Sequence, residues 1–161
     1  MPGAGAGETG RLDPYAVFRP RQGRRVATTM AVLSVVIFTG LAMLMPWGDP
    51  SAGGWGASDR ALLIGTGLLL GAGLWRFASI RAVPSTGGLV VRNLISTRKL
   101  EWAQIVRVQF GGGAPWVSVD LADTDTVAVM AIQRADGAFG QAEAARLSAL
   151  VEVNSRLRPP G

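Results

Sequence analysis

The chain has 161 residues and a net charge of +5, with 16 basic and 11 acidic side chains and neither cysteine nor histidine. These absences exclude disulfides, thiolate and Ser–His–Asp chemistry, and zinc or haem sites built on cysteine or histidine. We therefore expect a non-enzymatic protein without a cofactor, and the length allows one small domain plus an additional segment.

The chain opens with a stretch rich in glycine, alanine and proline. Residues 1–17 contain too little apolar surface to offset their ordering entropy, so we predict a disordered tail. Four arginines lie around its end: Arg19, Arg21, Arg24 and Arg25. Residues 26–45 then carry no charge. At about 1.5 Å per residue, a helix of this length covers the roughly 30 Å core of a bilayer, which predicts a transmembrane span.

A second apolar run, residues 61–80, follows a short loop rich in glycine and is also long enough to cross a bilayer. A buried or re-entrant helix is the alternative for this run. Arg76 and Arg81 lie at its end, whereas the loop between the runs has only Arg60. A twin-arginine export signal is the alternative for the first run, but that run is long and a second run follows it.

Basic flanks stay on the cytoplasmic side of a membrane, so the placement of the arginines gives the two runs a direction. We predict that residues 18–81 form a basic flank and a two-span hairpin in the plasma membrane, with both termini in the cytoplasm.

Gly67 and Gly71 form a small-x-x-x-small pattern in the second run, which allows two helix backbones to approach closely. The first run is the expected packing partner, and a homodimer contact is the alternative. The small residues of the first run that could meet these glycines are Ala27, Ala31, Ser34 and Gly40.

After the second run the hydrophobic pattern changes to a period of two, which indicates β-strands. Residues 82–93 are predicted to form a hairpin around a turn at 84–87, and Arg98 and Lys99 flank a further turn or strand. Three later strands are predicted to point the following side chains inward: Val106, Val108 and Phe110; Val117, Val119 and Leu121; and Val127, Val129 and Ala131.

Residues 141–157 are predicted to be a helix that buries Leu147, Leu150 and Val151, with Leu157 close to that face. The predicted fold class is therefore α+β. A two-helix transmembrane hairpin precedes a small antiparallel β-barrel or sandwich with a C-terminal capping helix. This domain would cover residues 82–157, leaving a tail at 158–161.

Three segments resemble the bacterial PH domains of the actinobacterial low molecular weight protein antigen 6 family. They are residues 87–94 (Gly-Gly-Leu-Val-Val-Arg-Asn-Leu), residues 100–105 (Leu-Glu-Trp-Ala-Gln-Ile) and residues 121–134. The resemblance implies two membrane spans before a PH-like sheet with a helix across one end. It implies no enzyme activity and no catalytic residues. PH domains that bind phosphoinositides carry dense basic clusters at the first hairpin, where this chain has only Arg81 and Arg92.

Two further residues are interaction candidates within the predicted domain. Arg92 lies at the edge of the first hairpin, and Trp116 lies on the strand face opposite Val117 and Val119. Packing of Trp116 against the helix or the membrane is the alternative.

The acidic cluster Asp120, Asp123 and Asp125 is predicted to form a hairpin turn, because it has neither the length nor the ligand count of a calcium loop. We predict no metal site. The basic residues are dispersed, which argues against binding of nucleic acid.

The sequence thus predicts an integral membrane protein that presents a cytoplasmic PH-like domain for binding or scaffolding at the inner membrane surface. The expected partners are anionic lipid headgroups, attracted by the arginines, and a membrane protein or peptide. A homo-oligomer is a further option. The alternative function is an accessory subunit of a larger membrane complex that docks through the glycine-rich second helix.

Overall fold

The computed structural model describes residues 13–157, and the parts of the predicted tails at 1–12 and 158–161 lie outside them. Two long helices open the fold, α1 (Gln22–Leu44) and α2 (Ala57–Ala78). Within the described residues the strands are β1 (Arg81–Ser85), β2 (Gly88–Arg92), β3 (Thr97–Glu101), β4 (Ile105–Gln109), β5 (Trp116–Leu121) and β6 (Thr126–Gln133). Helix α3 (Ala138–Leu157) follows β6.

Helices α1 and α2 pack against each other as an antiparallel hairpin, and both are long and apolar enough to cross a membrane. Most of their large apolar side chains are exposed: Leu44 is 83% exposed and Leu69 is 75% exposed. A core helix of a soluble protein would bury such side chains, so the surface of this hairpin does not fit a buried helix.

Gly67 and Gly71 face α1, which is the first of the two partners considered for them. A Cβ added at Gly67 would lie 2.6 Å from Cβ of Phe38, and one at Gly71 would lie 2.9 Å from Cγ2 of Val35. The carbonyl groups of Ser34 and Ala31 lie next to the same two positions. Close approach of the two backbones therefore depends on glycine at both positions.

Arg60 closes the loop end of the hairpin from within α2. The side chain is only 7% exposed, and its guanidinium donates hydrogen bonds to the carbonyl groups of Ala42 and Met45 and stacks on Trp47. The last carbonyl groups of a helix lack intrahelical donors and carry partial negative charge. Arg60 therefore supplies hydrogen-bond donors to the carbonyl groups at the end of α1. Its place in the predicted loop did not reveal this role.

The strands form two antiparallel sheets, β1-β2-β3 and β4-β5-β6, and α3 packs on them. This arrangement confirms the predicted α+β, PH-like class. The inward residues of β5 and β6 are buried as predicted, and so are Leu147, Leu150 and Val151 of α3. Asn93 ties the two sheets together by donating to the carbonyl of Ala128 at 2.7 Å.

The prediction for β4 is wrong at one position. Val106 is 67% exposed because the register shifts between Ile105 and Arg107, a bulge that turns Ile105 inward instead. Leu157 is also exposed, at the end of α3.

The segment of residues 13–21, here called the strap, packs on the sheets. Phe18 is fully buried and exchanges two backbone hydrogen bonds with Ala82, at 2.9 and 3.1 Å. Arg146 of α3 stacks on Phe18 and donates to two carbonyl groups of the strap. The predicted disordered tail is therefore wrong for residues 13–17, since Phe18 and Arg146 hold these residues against the domain.

Candidate functional site: a basic cleft where the hairpin meets the sheets

The hairpin joins the sheets without a linker. Helix α2 ends at Ala78, and β1 begins at Arg81. Ile80 between them is 2% exposed and belongs to the core of the domain. The end of α2 is therefore fixed to the first strand.

Asp136 fixes the start of α1 to the same domain. Its Oδ2 accepts a hydrogen bond from the backbone N–H of Arg21 at 3.0 Å, and its Oδ1 accepts one from that of Gln22 at 2.8 Å. Arg21 in turn stacks on Phe139, 3.6 Å from the ring centroid. No side chain at the N-cap position of α1 caps the helix. A carboxylate from a distant part of the chain thus supplies the cap and offsets the positive end of the helix dipole.

A cleft of about 250 Å³ lies where these two attachments meet. Arg19 of the strap, Arg24 of α1 and Arg81 of β1 line it, together with Trp75 of α2 and Ser79 just after that helix. No carboxylate of residues 13–157 lies within 4.0 Å of these three guanidinium groups. The cleft therefore presents positive charge that the described part of the chain does not neutralise. We call it the basic cleft.

Three more of the predicted arginines lie around the basic cleft. Arg21 and Arg25 line a second cleft of about 410 Å³, which shares Arg19 and Arg24 with the first. Arg76 donates to Oγ of Ser79 at 3.3 Å. All six flanking arginines are thus gathered at one end of the hairpin.

Arg92 extends this positive surface onto β2. It pairs directly with Arg81 across the β1–β2 ladder, so the two side chains share the outer face of the sheet. Like charges placed opposite each other destabilise a sheet unless an anion lies near them. Guanidinium groups bind phosphate and carboxylate groups through paired N–H donors. The arrangement is therefore suited to an anion.

The turn between β2 and β3 lies at the same end of the sheet as Arg81. Ile95 in this turn is 91% exposed, and Leu94 beside it is partly buried. An apolar side chain thus projects from the end of the sheet that is joined to the hairpin.

A different surface lies along β4. This strand is an edge of its sheet, and with α3 it forms a groove of about 530 Å³. Val106 and Val108 line the groove on one side, and Ser148 and Val151 line it on the other. An edge strand leaves N–H and C=O groups without partners, which a further strand can satisfy. We call this the edge groove.

Comparison with known proteins places the chain in a family. The sequence profile of the Bacterial PH domain matches residues 81–150. Uncharacterised proteins of Mycobacterium bovis and of two strains of Mycobacterium tuberculosis are each 33% identical over 124 residues, covering 77% of this chain and 80% of theirs. The chain belongs to the bacterial PH domain family. No solved structure matches it. Membership of the narrower antigen family stays a prediction.

The bacterial PH domain alone does not make the basic cleft. Its matched region supplies Arg81, whereas Arg19 and Arg24 come from the strap and from α1. The similarity to the mycobacterial proteins extends beyond the matched domain, since it covers 124 residues. The cleft is thus a feature of the junction between the hairpin and the PH domain.

The remaining sequence candidates lie outside these surfaces. Trp116 is partly buried at the start of β5 opposite Gln133, and it lines neither the clefts nor the edge groove. Asp125 pairs with Arg98 at 2.9 Å, and Asp123 accepts a backbone hydrogen bond within its own turn. Among residues 13–157 there is no group of three or more acidic, cysteine or histidine side chains that could hold a metal ion.

Proposed function

We propose that this protein is a non-enzymatic membrane protein that presents its bacterial PH domain at the cytoplasmic face of the plasma membrane, where the domain binds a protein partner. Two candidate membrane-spanning helices with exposed apolar surfaces support the membrane location. The arginines support the direction. Six of them lie at the domain end, whereas Arg60 at the loop end is buried and engaged with α1. Such an imbalance favours a cytoplasmic domain.

The edge groove is the observation that carries the binding function. We infer that an extended segment of the partner adds to β4 as a further strand and places an apolar side chain between β4 and α3. Arg107 and Arg156 lie at the groove, and Arg156 is paired with Glu152. The remaining positive charge of Arg107 favours a segment with acidic residues near the inserted side chain.

The attachments of the hairpin support a scaffolding role. Phe18, Ile80 and Asp136 hold the domain at both helices, so the orientation of the edge groove relative to the bilayer is fixed. A partner bound there would be held at a defined distance from the membrane.

Photo-crosslinking in native membranes tests the groove. A crosslinking amino acid at Val106 should capture a protein, and the capture should be lost in Ser148→Trp, which fills the groove from an exposed position of α3. Ala149→Trp, on the neighbouring exposed position outside the groove, should preserve it. A crosslinker at Val153, which is 56% exposed and does not line the groove, gives the background. Equal capture from Val106 and Val153 would refute binding at the edge groove.

The orientation is tested separately by labelling introduced cysteines, which are unique because the chain has none. A membrane-impermeant maleimide should label Ala52→Cys in intact cells and Asp123→Cys only after permeabilisation. The reverse pattern would overturn the cytoplasmic placement of the domain.

The alternative function, docking through the glycine-rich second helix, has less support. The face with Gly67 and Gly71 is covered by α1, and only Gly65 and Gly73 leave open space beside α2. If this alternative holds, Gly73→Leu should release the partner and Ser148→Trp should not.

A further inference from the structure

An apolar groove lies between the two helices, next to the basic cleft. It has a volume of about 380 Å³ and is lined almost entirely by aliphatic side chains. Trp75 lines both the groove and the basic cleft, so the two cavities adjoin at this side chain. The groove is bounded by Ala31, Val32, Val35 and Val36 on α1 and by Leu68, Gly71, Ala72 and Trp75 on α2.

The periodicity of each helix explains why the two cavities lie on the same side of the hairpin. On α1, Arg24, Ala31 and Val35 are spaced by seven and four residues, which places them on one face. On α2, Leu68, Ala72 and Trp75 share a face in the same way. From Arg24 to Val35 the helix rises about 16 Å, which is about half of the roughly 30 Å hydrocarbon core. The groove therefore reaches about one leaflet deep.

The two cavities together match the two parts of an anionic phospholipid. The cleft offers three guanidinium groups, free of carboxylate partners among residues 13–157. The groove offers an apolar surface that adjoins this cleft at Trp75. Trp75 is 63% exposed between them, where an indole ring suits the boundary between headgroups and hydrocarbon.

We propose that the junction is a binding site for one anionic glycerophospholipid. Its phosphate lies in the basic cleft against Arg19, Arg24 and Arg81, and one acyl chain lies in the groove between α1 and α2. This inference rests on the proposed placement of the hairpin in a membrane. It differs from the edge groove in position, ligand and residues.

Native mass spectrometry of the full chain in detergent tests this site directly. The probes are phosphatidylglycerol, phosphatidylcholine with the same acyl chains, and glycerol phosphate, which carries an anionic phosphate and no acyl chain. We expect phosphatidylglycerol to be retained more strongly than phosphatidylcholine. We expect glycerol phosphate to compete poorly.

Two sets of variants distinguish the contribution of the headgroup to binding from that of the acyl chain. Arg24→Gln with Arg81→Gln should weaken phosphatidylglycerol binding by about 30-fold. Each basic residue near a membrane surface contributes about a factor of five to the binding constant for anionic lipid. Arg98→Gln with Lys99→Gln removes the same charge from exposed positions of β3 and should leave binding unchanged.

Ala72→Phe should weaken binding of phosphatidylglycerol by filling the groove from an exposed position of α2. Ala61→Phe makes the same change at the loop end of α2 and should have no effect. Thermal unfolding of each variant shows whether the fold is retained.

Equal retention of the two lipids by the unmodified chain would overturn the proposal. So would binding that is insensitive to both the arginine pair and Ala72→Phe. Competition by glycerol phosphate as strong as that by the whole lipid would overturn the role of the groove. The cysteine-labelling result is independent, because lipid binding in detergent does not depend on orientation in a cell.

Discussion

The cap that Asp136 places on α1 gives the sharpest test of how the PH domain is attached to the hairpin. Asp136 is 9% exposed, and its two oxygens accept the backbone N–H groups of Arg21 and Gln22 at 3.0 and 2.8 Å. Asp136→Ala leaves both donors without this partner. It also removes a negative charge from the positive end of a helix whose first turn carries Arg24 and Arg25.

The expected cost follows from two contributions. Loss of an N-cap side chain costs about 1 kcal/mol, and loss of a favourable charge at a helix terminus costs about 0.3–1 kcal/mol, more where the site is partly buried. The sum is about 2 kcal/mol, which corresponds to a roughly 30-fold change in an opening equilibrium. Asp136→Asn retains one carbonyl oxygen without the charge, so its effect should be about half as large in free energy.

Hydrogen exchange measured by mass spectrometry reports this change at the right place. In Asp136→Ala, the backbone amides of Arg21 and Gln22 should exchange about 30-fold faster, while the amides of β5 keep their protection. Asp123→Ala removes an exposed carboxylate from a turn and serves as the control. Unchanged exchange in residues 19–24 of Asp136→Ala would refute the cap.

Three further changes test the hairpin and its placement. Arg60→Leu should lower the free energy of unfolding in detergent by about 2 kcal/mol, because two carbonyl groups at the end of α1 lose a charged donor. Arg107→Leu is the control. Equal losses of stability in the two variants would contradict the role of Arg60. Gly71→Leu should lower the thermal unfolding temperature by forcing α2 away from Val35, whereas Gly73→Leu, which meets open space, should not. An environment-sensitive dye attached to Ile95→Cys should show a blue-shifted emission in liposomes. The comparison is the same dye on Thr86→Cys, which lies at the opposite end of the sheet. Identical spectra would show that the β2–β3 turn does not reach the bilayer.

The elements that the sequence predicted well are those whose signal is local. Alternation of Val117, Val119 and Leu121 with polar residues sets the faces of β5, and the helical spacing of Leu147, Leu150 and Val151 sets the face of α3. The pair Gly67 and Gly71 predicted a close helix contact for the same reason, since its spacing alone defines a helix face. The orientation of Val106 was mispredicted because a bulge changes the register by one residue, and the alternation of the sequence cannot reveal a bulge.

The contacts that join the two halves of the molecule were not predictable from local patterns. Asp136 lies in a segment that reads as a turn, and its partners are 114 and 115 residues away. Phe18 lies between Val17 and Arg19 in a short stretch without helical or strand periodicity, so its burial depends on the pocket that β1 and α3 provide. The arginines were recognised as a topological signal, but their convergence on one cleft requires the strap, α1 and β1 to meet.

That convergence bears on what the arginines do. A topological signal requires only that basic residues flank the spans on one side, and side chains dispersed in water would serve it equally well. Here the fold brings Arg19, Arg24 and Arg81 to one cleft, with Arg92 directly opposite Arg81 in the ladder. Holding like charges together costs free energy, and the carboxylate of Asp136 at the start of α1 is already committed to two backbone N–H groups. An anion bound in the cleft would offset that cost, whereas orientation in the membrane alone would not require the charges to be gathered.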